Sequence, residues 1–201
     1  MATGAFRPLS LGGDGSLSRS PRHVTAQFAG APSRRWPTDP DIDDRAIHHP
    51  QDFAPLHEQH RFTVDAAAAH HNARLPRYWT IADNGLEQPW AGERVWCNPP
   101  FSDLAPWVAK AWTEHRAADL IVMLVPANRT EQRWWQYMIE PYRDRPGSPL
   151  TTDFRAGRWR FLRPGQTSIG PGERPPMGIC ILTWQHHAWT PDTVTGGIFS
   201  R

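Results

Sequence analysis

The residues best suited to chemistry are Asn98, Pro99, Pro100 and Phe101, which directly follow the predicted short strand 93–97. The side-chain oxygen of Asn98 and the backbone carbonyl of Pro99 can each accept one hydrogen of an exocyclic amine. Two such acceptors orient the nitrogen and shift it toward a tetrahedral geometry, which frees its lone pair to attack a methyl group. Prolines carry no N–H donor, so acceptors dominate this turn. Phe101 offers a flat face for stacking a base. The tetrapeptide therefore indicates methylation of a planar amine by direct transfer.

Cys97 lies beside this motif and raises the alternative of a covalent, cysteine-dependent methyl transfer to a ring carbon. Neighbouring side chains of a strand point to opposite faces. If Asn98 faces the cleft, Cys97 faces away from it. We therefore interpret Cys97 as a buried structural cysteine.

Hydrophobic periodicity predicts the elements that position the motif. Asp103 is a candidate cap for the helix that follows the motif, and Gly and Pro residues predict a loop over 72–92. Strands alternate with helices, which favours an α/β fold with a mostly parallel sheet flanked by helices. The predicted helices cover 50–60, 103–117 and 131–144, and the predicted strands cover 62–67, 93–97, 119–125, 159–162 and 178–184.

Ligands of such sheets bind beyond the carboxyl ends of the strands. Asp65 and Asn98 both fall at the ends of predicted strands, so we expect them to line one cleft. Most enzymes that bind S-adenosylmethionine carry a Gly-x-Gly loop after the first strand, and this sequence has none there. The site for a methyl donor must therefore be built differently.

Composition divides the chain and limits the classes of function. Residues 1–40 are rich in Gly, Ser, Pro and Arg, which predicts a disordered arm. We assign 41–190 to one domain and 191–201 to a tail. A signal peptide and a bilayer-spanning apolar run are both lacking, which predicts a cytoplasmic protein without membrane contact. The ten histidines show no metal-ligand pattern, so we expect no metal.

The formal net charge is only +2, but eight arginines and four acidic residues lie between residues 127 and 163. Guanidinium groups suit phosphate and guanine contacts. A solvated charged face is the alternative for any single arginine. The candidate DNA contacts are Arg129, Arg133, Arg158 and Arg160.

The stretch from Phe62 to Asp103 resembles the phage-type DNA N-6-adenine methyltransferase family, often called phage Dam. Later stretches at 124–135, 157–162 and 175–184 also match, so the resemblance covers roughly residues 47–185. The residues that carry the resemblance are Phe62, Asp65, Ala67, Asn72-Ala73, Arg77-Tyr78, Gly85-Leu86, Trp90, Gly92, Val95-Trp96 and Asn98 to Phe101.

The resemblance implies a Rossmann-like methyltransferase fold, S-adenosylmethionine as donor and adenine in double-stranded DNA as substrate. It implies that Asn98 to Phe101 are catalytic. The implied donor-binding residues are Asp65, Ala66, Ala67, Asp83 and Pro50. The family usually has Trp-x-Thr-Pro where this chain has Ile47-His48-His49-Pro50, so the donor corner differs. A phage or prophage gene acting in a bacterial host, in restriction evasion or regulation, fits the family.

Two other functions fit the same residues. Methyltransferases of RNA guanine or protein glutamine also use this type of motif, although they normally carry the glycine loop. A relative without catalysis could retain the fold and the arginine face as a DNA-binding protein. We expect a monomer, with a dimer as the alternative.

Overall fold

In the computed structural model of the chain, the structure describes residues 46–47, 52–157, 159, 161–162 and 177–185. The predicted arm and tail lie outside these residues, and so do three candidate site residues, Pro50, Arg158 and Arg160. The described residues form three α-helices and seven strands. In chain order they are β1 (Ala46–Ile47), α1 (Ala54–His60), β2 (Val64–Asp65), β3 (Arg94–Cys97), α2 (Ala105–Glu114), β4 (Leu120–Pro126), α3 (Arg133–Met138), β5 (Leu150–Phe154), β6 (Phe161–Leu162) and β7 (Ile179–Trp184).

Five strands form the main sheet in the order β2-β3-β4-β7-β5, and β1 pairs with β6 separately. The pairs β2-β3 and β3-β4 are parallel, whereas β7 runs antiparallel to both β4 and β5. The predicted α/β class is confirmed, but the prediction of a mostly parallel sheet is correct only in part. The apolar run of β7 indicates a buried strand and carries no signal for its direction.

The core lies on both faces of β4, whose seven residues are all buried. The apolar face predicted for the second helix is confirmed, because Trp107, Val108 and Trp112 of α2 are buried against one face of the sheet. Phe53, which precedes α1, and Leu56 of α1 are buried against the opposite face of the sheet. Two apolar layers therefore hold the strands from both sides and fix the positions of their ends.

Several predicted boundaries are wrong for local reasons. The predicted helix 131–144 ends at Met138, because Pro141 lacks an N–H and disfavours helical backbone at Glu140. Asp103 does not cap α2; Leu104 occupies the N-cap position without a side-chain hydrogen bond. The strand β5 was not predicted, because only Leu150 among its five residues is buried. None of the helices in the described part of the chain is long and apolar enough to cross a membrane.

Candidate active site at the carboxyl edge of the sheet

The ends of β2 and β3 lie side by side. Asp65 pairs with Trp96, and the next residue along, Ala66, donates its N–H to the Trp96 carbonyl at 2.8 Å. Asn98 follows Cys97, so it lies two residue levels beyond Asp65 on the neighbouring strand. The expected juxtaposition of these two strand ends is therefore observed.

The Asn98–Phe101 turn is short and well supported. Pro99 and Pro100 are buried, whereas Asn98 and Phe101 are half-buried. The Phe101 ring meets the Phe161 ring edge-on, with centroids 5.8 Å apart and planes at 78°. The Pro100 carbonyl accepts the Asp103 N–H at 3.2 Å, and α2 begins soon afterwards. The turn thus holds Asn98 just beyond the end of β3 with its side chain only half-buried.

Cys97 is completely buried. Burial raises the pKa of its thiol well above its usual range, and the nearby negative charge of Asp65 raises it further. Because the thiolate is the nucleophilic form, this cysteine is inert. The interpretation of Cys97 as a buried structural residue is confirmed.

Asp65 is only 3% exposed, and its carboxylate bonds to the chain that follows it. One oxygen accepts the Ala67 N–H at 3.4 Å and the other accepts the Arg74 N–H at 3.1 Å. Burial raises the pKa of Asp65 to about 6, although these hydrogen bonds and the Arg74 charge act in the opposite direction. The carboxylate therefore shapes the segment 66–74.

The loop between β2 and β3 returns to the end of β2 through Gly85. A Cβ atom at Gly85 would lie 2.0 Å from the Ala66 carbonyl oxygen and 3.2 Å from the Trp107 ring. The Trp90 indole donates to the Gly85 carbonyl at 3.1 Å and fixes this approach. In the sequence, Gly85 is one of the residues that predict a loop over 72–92 and one of those shared with the family. In the structure the preceding Asn84 has a φ of 52°, so the chain turns tightly just before Gly85.

A shallow pocket, open to solvent, lies where this loop meets the end of β2, and its enclosed volume is about 10 Å³. Ala66 and Ala67, two of the predicted donor-binding residues, line it. Ile81 also lines it and is 63% exposed. The remaining walls include Trp79, Thr80 and Trp107. The walls of the pocket therefore combine apolar and aromatic side chains with polar groups such as those of Thr80 and Asn84.

Asp83 is exposed beside this pocket and is not among its lining residues. One carboxylate oxygen accepts both the Thr80 N–H and the Thr80 hydroxyl, each at 2.8 Å. These hydrogen bonds lower the pKa of Asp83. The structure therefore places a charged carboxylate next to Thr80, which does line the pocket.

Two predicted DNA-contacting arginines lie near the same edge of the sheet. Arg129 is half-buried in the turn that follows β4, and Arg133 is exposed at the start of α3. The Arg133 guanidinium lies 5.8 Å from the centroid of the Tyr137 ring. Among the described residues, no cluster of three or more His, Cys, Asp or Glu side chains could hold a metal ion.

The fold and the site together define an α/β protein with a pocket at the end of β2 and the Asn98–Phe101 turn at the end of the adjacent strand β3. Residues 49–144, which contain both, match the sequence model of the DNA N-6-adenine-methyltransferase (Dam) family. The predicted resemblance to the phage-type DNA N-6-adenine methyltransferase family is therefore confirmed for this part of the chain.

A relative agrees with this assignment. The DNA N-6-adenine-methyltransferase of Haemophilus phage HP1 (strain HP1c1) is 25% identical over 79 residues, which are 39% of this chain. The matched stretch spans 46% of that phage protein, less than half its length. No solved structure matches this chain significantly.

Proposed function

We propose that this protein transfers a methyl group from S-adenosylmethionine to the exocyclic N6 amine of a flipped adenine in double-stranded DNA. The observation that carries the proposal is the position of Asn98–Phe101. The turn projects from the carboxyl end of β3, beside the pocket at the end of β2, within the segment that matches the Dam family.

In this proposal the Asn98 side chain and the Pro99 carbonyl accept the two hydrogens of the adenine amine. The bound donor supplies an electrophilic methyl group. The new N–C bond would form as the bond between that methyl group and the sulfur of the donor breaks, the sulfur would keep the electron pair of that bond, and the amine nitrogen would release one proton to solvent, so no covalent link to the protein is required. The inert Cys97 thiol supports this direct route.

Phe101 provides the surface on which the flipped base stacks. Stacking on an aromatic side chain contributes on the order of 1–3 kcal/mol. Extruding a base from the duplex costs a few kcal/mol. The edge-on contact with Phe161 stabilises the Phe101 ring from one side, so stacking offsets much of that cost without further ordering of the side chain.

The pocket contributes one wall of the proposed donor site. Its enclosed volume of about 10 Å³ is that of about one water molecule, so the donor would lie against its open side rather than inside it. Ala66, Ala67 and the exposed Ile81 offer apolar contacts to the donor. The charged Asp83 is hydrogen-bonded to Thr80, which lines the pocket, so its carboxylate lies close enough to accept hydrogens from hydroxyl or amino groups of the donor. Pro50 completes the proposed set, and Asp65 acts mainly by shaping the segment 66–74.

The order of strands suggests on which side DNA lies. The donor pocket is at β2 and the amine acceptors are at β3, so the duplex approaches from the β4 side. Arg129 and Arg133 lie on that side, and Arg158 and Arg160 complete the proposed phosphate contacts. We further propose that the fold is Rossmann-like. We also propose that the protein is encoded by a phage or prophage and acts in the cytoplasm of the bacterial host.

The proposal is tested by incubating the protein with S-adenosylmethionine labelled in its methyl group and unmethylated DNA, RNA or a protein mixture. The label should enter the DNA alone. Digestion of that DNA to nucleosides should recover the label as N6-methyldeoxyadenosine. Label recovered only from RNA or protein would assign another planar amine as substrate. Binding of DNA without binding of the donor would indicate a relative without catalysis.

A further inference from the structure

Arg155 directly follows the last residue of β5, the outer strand of the sheet on the side away from the pocket. Its N–H continues the pairing with β7, because it donates to the Ile179 carbonyl at 2.9 Å. The strand β5 runs in the same direction as β3 and β4, since β7 is antiparallel to both β4 and β5. Arg155 therefore lies at the carboxyl edge of the sheet, the edge at which Asn98 follows β3.

The pairing of the strands gives the position of Arg155 relative to Asn98. Asn98 is level with Leu124 of β4, because the residues before them are paired, and this row reaches β5 at Asp153. Side chains of one row point to one face of a sheet, and so do residues two apart in a strand. Arg155 therefore shares the face of Asn98. It lies two residue levels, about 7 Å, beyond that row and three strand spacings, about 14 Å, to its side.

The Arg155 side chain is held at two places. One guanidinium nitrogen lies 2.5 Å from a carboxylate oxygen of Asp153. The guanidinium carbon lies 5.3 Å from the centroid of the Trp159 ring, which is buried. The Arg155 side chain is nevertheless 37% exposed. Because a guanidinium carries five N–H donors, it can bind a carboxylate and a phosphate together.

Trp159 connects this guanidinium to the wall of the candidate active site. Trp159 and Phe161 belong to the apolar layer on this face of the sheet, and Phe101 packs against the same layer. The Phe101 ring also meets the Phe161 ring edge-on. Arg155 and the proposed stacking surface for the base are therefore attached to one packed layer.

We propose that Arg155 binds a backbone phosphate of the duplex close to the flipped adenine. This inference rests on the proposed DNA substrate. A guanidinium that is already held by a carboxylate and a ring loses little conformational freedom when it binds a phosphate. Phosphates of one strand follow each other at about 3.4 Å along the helix axis, so about 14 Å corresponds to roughly four linkages. Phosphates carry no sequence information, so Arg155 positions the duplex and does not select the sequence.

The first test measures binding of a labelled duplex by fluorescence anisotropy at several salt concentrations. The duplex carries the recognition sequence, read first from the positions that wild type methylates. Arg155→Ala should bind about tenfold more weakly at low salt. Its slope of log affinity against log salt should be smaller by about 0.9, the value for one phosphate contact. Arg155→Lys keeps the charge and should keep the slope of wild type.

Arg116→Ala is the matched control, because it removes the same charge from an exposed residue between α2 and β4, at the opposite edge of the sheet. It should bind the duplex as wild type does. If Arg155→Ala has the same affinity and salt slope as Arg116→Ala, Arg155 does not bind a phosphate.

Neutral methylphosphonate linkages, placed one at a time on both strands, then identify the phosphate. One position within about four linkages of the target adenine should weaken binding by wild type and Arg155→Lys, and should not weaken Arg155→Ala further. If every position weakens wild type and Arg155→Ala alike, the proposed contact is wrong although the protein is still a DNA methyltransferase. If wild type methylates no DNA, the proposed function itself fails.

Discussion

The two strand ends that meet at the site are built in opposite ways. At the end of β2, the carboxylate of Asp65 is buried and accepts hydrogen bonds from backbone N–H groups. The chain then follows a long loop from residue 66 to residue 93 before it enters β3. After β3, the chain turns within a few residues into α2, and Asn98 remains half-buried. The first end makes a pocket from distant parts of the chain, whereas the second presents one side chain from a rigid turn.

This difference bears on the proposed donor site, because the chain lacks the usual glycine-rich loop after the first strand. The close backbone approach that such a loop permits is made here by Gly85, which comes from later in the loop and packs against Ala66. The pocket end therefore depends on tertiary contacts. The Asn98 end depends on local sequence, so the two should respond differently to mutation.

The largest effect is expected at the Asn98 end. Asn98→Ala removes one amine acceptor and should lower kcat by about 10²–10³-fold, as for other preorganised polar groups that act in the transition state. Cys97→Ala is the matched neighbour and should retain activity with a modest loss of stability. Rates of methyl transfer at saturating donor provide the comparison. An inactive Cys97→Ala that remains folded would instead support a covalent mechanism.

At the pocket end, Gly85→Ala should reduce stability rather than chemistry alone. Its new Cβ would collide with a backbone carbonyl, so the loop must shift at a cost of about 3 kcal/mol. Gly178→Ala is the control, because a Cβ there lies 3.7 Å from the nearest atom, an ordinary contact. Urea unfolding measures both free energies. Equal stability of the two variants would contradict the proposed close packing.

The buried carboxylate of Asp65 should make stability depend on pH. Its pKa is about 6 in the folded protein and 3.8 ordinarily, so the folded state holds the proton more tightly. Asp65 therefore contributes stability that is fully present below pH 3.8 and is lost as the pH rises through 6, by up to about 3 kcal/mol. Asp65→Asn should remove this slope in urea unfolding measured between pH 4 and 8.

Asp83→Asn is the control for this pH dependence. The pKa of Asp83 is lowered, so its contribution is present at neutral pH and is lost as the pH falls through its folded pKa. Its substitution should leave the loss of stability between pH 4 and 6 in place. A slope that is unchanged in Asp65→Asn would show that another group causes it.

The smallest effect is expected for Ile81→Ala. Because Ile81 is 63% exposed, its truncation should not disturb folding. Covering this side chain with the bound donor would contribute about 1 kcal/mol, so the donor should bind roughly fivefold to tenfold more weakly. Calorimetric titration with S-adenosylmethionine gives the dissociation constants, and Tyr137→Ala serves as an exposed control. An unchanged affinity would place the donor elsewhere.

Local patterns were sufficient to predict β3, the Asn98–Phe101 turn and the apolar face of α2, because neighbouring residues determine all three. They could not reveal β5, a polar edge strand, or the direction of β7, since an apolar run is the same in either direction. The hydrogen bonds of Asp65 depend on how 66–74 folds, so local sequence could not reveal them. The contact of Gly85 with Ala66 joins residues 19 positions apart in the chain and has no local signature.

The division of labour between the two strand ends is tested most directly by one pair of measurements on Asn98→Ala. The dissociation constant of S-adenosylmethionine and the rate of methyl transfer to DNA at saturating donor are measured on the same preparation. The affinity should equal that of wild type, whereas the rate should fall about 10²–10³-fold. A variant that transfers methyl groups at the wild-type rate, or that loses donor binding in proportion to its rate, would contradict the proposed role of Asn98.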